Sequence, residues 1–336
     1  MKKLLITKLF AALIITSSGF CFSQSFESQH FKLEQIGDGV YAAIHKPGGQ
    51  AIANGGFVDL GEEVLVFDSF LSIAAASDLK KAVGELTGKP VRWVVNSHSH
   101  NDHIRGNQVY VPEASIVSTP EIRDYLLEHG HKEAVEEQSF APGRMAVFQN
   151  NLNDAKTEAE IQDAKMWLGY FEAMVETYPI LEITPPNVVF DDTMTIYGSK
   201  RTVTLLEFQH GHMESDIVLY LPEDKILFAS DLVFIEMHPY MADGDPAGLR
   251  NTLAKLMDLQ VDDVVPGHGE VGNKEDIEAM IGYIDMVNNL AETLMKQERK
   301  PEDINIDQIP QPYRDWTFYN FFDSNLKFLY ETTTEH

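Results

Sequence analysis

Directly behind the apolar run Val91–Val95 (VRWVV) stands NSHSHNDH, which places His98, His100, Asp102 and His103 within six positions. The same arrangement returns downstream. Val203–Phe208 leads into QHGHMESD with His210 and His212, Lys225–Ser230 leads into Asp231, and Asp263–Pro266 leads into His268 between two glycines. Glycine on either side lets the backbone turn sharply and hold that imidazole out. A β-rich run that ends in metal-ligating side chains, repeated from distant parts of one chain, requires sheets whose carboxyl ends converge. That is where α/β architectures gather their chemistry.

Further β-rich runs lie at Val40–His45, Ala51–Leu60, Val64–Asp68, Ser115–Ser118, Met194–Tyr197 and Asp216–Leu221. Helical periodicity marks Ala74–Leu86, Asp102–Tyr110, Ala247–Leu259 and Lys274–Gln297. Strands come first and then alternate with helices, so the expected fold is mixed α/β, sheets covered by helices. Between Pro120 and Pro185 the strand pattern stops. Ile161, Ala164, Leu168, Phe171, Val175 and Tyr178 recur at three- and four-residue steps, one apolar stripe on a long helix. Residues 121–185 therefore read as a helical insertion into a main domain spanning 24–300, serving as structural cover or as one wall of a cleft. From Pro301 the chain is rich in aromatics, among them Tyr313, Trp316, Phe318, Tyr319, Phe321 and Phe322. Residues 301–336 are expected to pack on the body or on a neighbouring subunit.

The first residues follow another logic. Met1-Lys2-Lys3, the apolar stretch Leu9–Ile15 and the small and polar residues of SSGFCFSQ form the three-part pattern of a secretory leader, with cleavage expected after Ser23. Its apolar part is too short to span a bilayer, so no stable membrane anchor is expected and the product is periplasmic or secreted. Cleavage removes Lys2, Lys3 and Lys8 and no acid, leaving 23 basic against 52 acidic residues. A field of that sign repels nucleic acid and favours a neutral or monoanionic small molecule over a polyanion. The single cysteine, Cys21, leaves with the leader, so any metal must be held by His, Asp or Glu.

In extended backbone alternate residues face the same way, so His98 and His100 can share one centre while Asp102 and His103 point a few Å away as the chain turns. Two ligands are thus offered to each of two neighbouring ions. His210, His212, Asp231 and His268 are the candidates that would complete both sites.

With these motifs the chain resembles the metallo-β-lactamase superfamily. The matched elements are HSHNDH (His98–His103), GHMESD (Gly211–Asp216), FASDLVF (Phe228–Phe234) and VVPGHG (Val264–Gly269). The resemblance implies a four-layer αββα sandwich. It assigns His98, His100 and His212 to a first metal, Asp102, His103 and His268 to a second, and Asp231 to the bridge between them. Asp68 in VLVFDS, and His210, would support the ligands from behind. Arg105 stands where the family often has glycine, Met213 where it often has threonine, and Asp231 where one branch has cysteine.

The implied function is an exported dinuclear Zn²⁺ hydrolase, with Mn²⁺ or Fe²⁺ chemically compatible, that uses a metal-bridging hydroxide to open a small cyclic amide or ester. Asp102 would orient the water and protonate the leaving group. Arg105, His238 and Tyr240 are the candidate substrate contacts, and Arg105 is equally suited to a structural ion pair. A thioesterase resembling glyoxalase II, persulfide oxidation at a single iron and a non-catalytic metal-binding protein are the competing expectations, and a monomer and a homodimer are both compatible with the sequence.

Overall fold

The computed structural model describes residues 26–334. The leader expected at residues 1–23 lies outside them. Strands β1 (Phe31–Gly37), β2 (Val40–His45), β3 (Gly55–Asp59), β4 (Val64–Phe67), β5 (Val91–Val95), β6 (Ser115–Ser118) and β7 (Val188–Val189) form one sheet in chain order, antiparallel up to β4 and parallel beyond it. The second sheet is ordered β12 (Asp263–His268), β11 (Ile226–Phe234), β10 (Ser215–Leu221), β9 (Thr202–Gln209), β8 (Thr193–Tyr197).

Two-residue alternation decides how the layers stack. On β2, Val40, Ala42 and Ile44 enter the space between the sheets, while Ala43 faces outward; on β4, Leu65 and Phe67 point inward and Val64 and Val66 outward. Val203, Leu205, Ile217, Leu219 and Phe228 meet them from the second sheet. Helix α1 (Ile73–Thr87) covers the outer face of the first sheet with Ala75, Ala76, Leu79 and Val83. It begins where the Ser72 hydroxyl accepts the Ala75 N–H and stops at Gly88, whose φ of 68° suits glycine. Helices α6 (Pro246–Leu256), α7 (Lys274–Lys296) and α8 (Tyr319–Thr334) cover the second sheet through Leu249, Leu253, Met280, Tyr283 and Leu326. The result is the αββα sandwich.

The segment between β6 and β7 is three helices: α3 (Pro120–Glu128), α4 (Gly130–Asp154) and α5 (Glu158–Thr177), the last opened by the reciprocal Thr157 and Glu160 cap. Ala141, Phe148, Phe171 and Met174 give it an apolar cluster of its own, distinct from the sandwich core. Past α7, Trp316 and Phe322 join the outer core against Tyr283, while Phe318 packs against the insertion. Among the described residues no helix is long and apolar enough to cross a membrane.

Three local expectations are corrected. The helix read at Asp102–Tyr110 is one turn, α2 (Asn101–Ile104), followed by a 3₁₀ turn at Asn107–Val109. Its ladder breaks because the Gly106 N–H donates to the Phe70 carbonyl and the His103 carbonyl accepts from Ser69 N–H. Strand β11 does not end at Ser230 but runs through Asp231 to Phe234, with its register broken around Ser230, where φ is 47°. The run Ala51–Leu60 becomes strand only at Gly55, and β1 and β7 were not legible as strands at all.

Candidate metal centre

The loop after β5 and the one-turn α2 present His98, His100, Asp102 and His103; the turn between β9 and β10 presents His212; the bulge in β11 presents Asp231; and the end of β12 presents His268. These side chains form two groups. His98, His100, His212 and Asp231 make one, and Asp102, His103 and His268 the other, with the ligand atoms of each lying within 4.8 Å of one another. Asp231 borders both: its oxygens stand 3.1 Å from His103 Nε2, 3.4 Å from His268 Nε2, 3.5 Å from His212 Nε2 and 3.9 Å from His98 Nε2. Asp102 Oδ2 lies 3.6 Å from His268 Nε2 and 3.8 Å from His103 Nε2, and His100 Nδ1 lies 3.1 Å from His212 Nε2. Ligands placed about 2.0–2.1 Å from a tetrahedral ion are separated by such distances.

Burial and hydrogen bonding prepare these atoms for cations. His98 Nε2, His103 Nε2 and Asp231 Oδ1 are buried without a hydrogen-bond partner, a costly arrangement unless a further group is meant to occupy the centre. Burial, reinforced by His103, holds the His98 imidazole well below its ordinary range, and burial brings His212 down to about 3, so both present neutral nitrogens. Burial works against ionisation of Asp231, yet His103 and His268 hold its carboxyl well below the usual value. For His103 burial is outweighed by Asp231, Asp68 and Asp102, which push it well above its ordinary range. A cation in this place displaces that proton.

Behind the ligands stands a buried polar support. Asp68, fully buried with φ 60°, accepts the His103 Nδ1–H at 2.8 Å, the Ser97 N–H at 2.8 Å and the Ser97 hydroxyl at 2.8 Å. The Ser97 hydroxyl lies 2.9 Å from His98 Nδ1, and the Ser230 hydroxyl 3.1 Å from Asp68. These bonds fix which imidazole nitrogen faces the centre. His100 is turned the other way, its Nε2 lying 3.2 Å from Asp243 Oδ2. Asp216 accepts the Met213 N–H at 3.1 Å and so closes the turn that carries His212. Ser97, Ser230, Asp243 and Asp216 carry no sequence signal of their own, because serine and aspartate are common in turns.

A cavity of about 340 Å³ opens over the centre, with Asp102, Asp231 and His268 on its floor. Tyr240 lines it, its hydroxyl 3.4 Å from Asp243. The other expected contacts stand elsewhere. Arg105 is buried beneath the cavity and ion-pairs with Glu133 and Glu137 of α4, each at 3.4 Å, so no substrate carboxylate reaches it. His210, at φ 57°, turns into solvent beside Glu214 and supports no ligand.

His238 is fully buried among Tyr283, Trp316 and Phe322, with Nδ1 3.2 Å from the Tyr283 hydroxyl; it anchors the chain beneath α8 and does not face the cavity. Burial pushes its pKa from 6.5 down to about 4. Between those values the unfolded chain binds a proton that the folded chain refuses, so stability is lost as pH falls through this window. From about pH 7 to pH 5 the contribution is at most about 2 kcal/mol. Urea midpoints at the two pH values should fall less for His238→Gln than for the native chain. Equal slopes would show that this imidazole does not carry the effect.

Comparison with known proteins agrees with the geometry. The sequence model of the metallo-beta-lactamase superfamily matches residues 48–268. A linear primary-alkylsulfatase of Pseudomonas sp. (strain ATCC 19151) is 24% identical over 236 residues, covering 67% of this chain but only 43% of the relative, so the chain spans less than half of that protein. A metallo-beta-lactamase from Pontibacter korlensis superposes with a TM-score of 0.56 at 16% identity, over 76% of this chain and 99% of the other. A metallo-beta-lactamase of Pseudomonas aeruginosa in its mono-zinc form gives 0.55 at 15% identity, over 76% and 95%. At such identities the structural likeness carries the fold, while the sequence match spans most of the chain and includes every residue of both ligand groups. This protein belongs to the metallo-beta-lactamase superfamily.

Proposed function

We propose that the chain is an exported dinuclear zinc hydrolase that opens a small cyclic amide or ester of β-lactam or lactone type. One observation carries the reading: a single carboxylate, Asp231, borders candidate ligands of both groups at 3.1–3.9 Å. His98, His100 and His212 would hold one cation, Asp102, His103 and His268 the other, with Asp231 between them. Nitrogen and oxygen ligands suit Zn²⁺, and also Mn²⁺ or Fe²⁺. When bound, such a pair supplies Lewis acidity and lowers the pKa of water from about 15.7 toward 7. Asp68, Ser97 and Ser230 engage Nδ1 of His98 and His103 and so leave Nε2 of both turned to the centre. Asp102, on the cavity floor, takes up the proton released by the attacking water and returns it to the leaving group. Export rests on the leader pattern of residues 1–23.

A second reading, sulfate-ester hydrolysis, is favoured by the alkylsulfatase relative. Against it, among the described residues no lysine or arginine lines the cavity to receive a sulfate.

Metal analysis of the chain purified without added metal, followed by turnover of a chromogenic cephalosporin, an acyl-homoserine lactone, a glutathione thioester and dodecyl sulfate, separates the readings. The expected outcome is two equivalents of zinc, hydrolysis of the lactam or lactone, and loss of that turnover in His100→Ala. One equivalent of iron without hydrolysis overturns the proposal, and turnover confined to the thioester or the sulfate reassigns the substrate.

A further inference from the structure

The cavity wall opposite the metal ligands comes from the insertion and from the start of α8, and its composition is unusual for a site above two cations. Trp167 meets Phe318 at 6.1 Å and Phe321 at 6.0 Å, both edge to face, while Phe318 and Phe321 stack at 5.6 Å. Tyr240 continues the surface, its ring 5.4 Å from Phe321 and 6.3 Å from His100. These four aromatic residues all line the cavity, and so do Glu133, Glu137 and Asp243.

The charge is not balanced within the wall. Asp102 and Asp231 face the metal centre, whereas Glu133 and Glu137 have one guanidinium, Arg105, between them from behind. The remaining partners of these two acids are neutral: Tyr125 bonds Glu133, Tyr178 bonds Glu137 at 2.6 Å, and Asn101 bonds Glu137 at 2.7 Å. Asp243 meets His100 and the Tyr240 hydroxyl, and among the described residues no lysine or arginine lines the cavity. Aromatic faces joined to unneutralised carboxylates attract organic cations, because the ring quadrupole and the carboxylate charge act in the same direction.

We infer that this cleft selects a substrate whose apolar or aromatic body carries a protonated or quaternary amine, the amine lying among Trp167, Tyr240 and the Glu133, Glu137 and Asp243 carboxylates while the scissile ester or amide lies over Asp102 and Asp231. The inference rests on the hydrolase reading for the second half of that placement. It replaces the expectation from net charge alone, a neutral or monoanionic molecule, because the local wall rather than the whole surface meets the substrate. Phe318 and Phe321 thereby become specificity-determining residues contributed from beyond the region matched by the family model.

The test is binding, separate from turnover. Benzyltrimethylammonium and its uncharged isostere neopentylbenzene, kept below its solubility limit, are titrated into the full-length, metal-containing protein and followed by tryptophan fluorescence and calorimetry. The cation should bind roughly tenfold more tightly than the isostere, as expected for a cation held by rings and carboxylates. Glu133→Gln and Asp243→Asn should each weaken the cation several-fold and leave the isostere unchanged, and Phe321→Ala should weaken both. Circular dichroism identifies a variant that has not folded, and the remaining variants then decide. Equal affinity for cation and isostere, or affinity for the cation that is indifferent to both carboxylate variants, overturns the inference. Selective cation binding in a protein that hydrolyses neither the panel nor aryl esters and lactones bearing a trimethylammonium group keeps this inference and removes the hydrolase reading. Hydrolysis without cation preference does the reverse.

Discussion

Asp231→Asn should lose bound metal and cut hydrolysis on the order of 10³-fold, equivalent to about 4 kcal/mol of lost Lewis-acid stabilisation. This one side chain faces four imidazoles, those of His103, His268, His212 and His98, at 3.1, 3.4, 3.5 and 3.9 Å. An amide of the same shape removes the negative charge that borders both groups and would hold any cation bound there less tightly. Gly267→Ala should reproduce the defect without touching a ligand, because a Cβ at that position would lie 1.8 Å from Asp231 Oδ1 and force the carboxylate aside. Metal content by plasma mass spectrometry, with circular dichroism as the check on folding, decides the matter. Two metal equivalents and full turnover in Asp231→Asn would end the shared-carboxylate account.

Phe228→Ala should destabilise the chain by about 3–5 kcal/mol, the usual cost of emptying a buried aromatic site. Phe228 is fully buried between the sheets, its ring 5.7 Å from that of Phe67. Opposite it is Gly56, where an added Cβ would meet the Phe228 ring at 2.6 Å, so the ring fills room that the facing strand leaves open. Urea unfolding of metal-stripped protein isolates this packing effect from the stabilisation that bound metal adds by mass action. A loss below about 1 kcal/mol would mean that the two sheets do not close on Phe228 as described.

The sandwich was largely legible because most of its strands are buried on at least one face, and burial imposes apolar runs or alternation that survive in the one-dimensional pattern. β1 was illegible for the opposite reason: Lys32, Glu34 and Gln35 interrupt it, and most of the strand is only half buried. The candidate metal centre was legible because clustered histidines have few other uses. Of what supports it, only Asp68 was. Asp68 and Ser230 meet across 162 positions, and the Ser230 role depends on a bulge that no composition announces. His210 and His238 were misread because imidazole chemistry alone does not say which way a side chain points: a left-handed φ sends the first into solvent, and a lid of aromatics encloses the second. Arg105 was ambiguous in sequence because its partners, Glu133 and Glu137, lie on a helix of the insertion whose position over the cleft is a tertiary fact.

The meeting of Trp167 with Phe318 and Phe321 has a bearing on synthesis. A nascent chain that has just released His268 already owns every side chain of both ligand groups, yet its cleft stands open on one side until Phe321 arrives. The ligand groups are therefore complete in sequence before the wall that faces them. What secures the later part is modest: Asn325 reaches back to the Pro239 carbonyl at 2.6 Å and receives the Met241 N–H at 3.0 Å, clamping the terminal helix to the loop that follows Asp231. A chain ending before Phe318 would carry both ligand groups with one wall of the cavity missing.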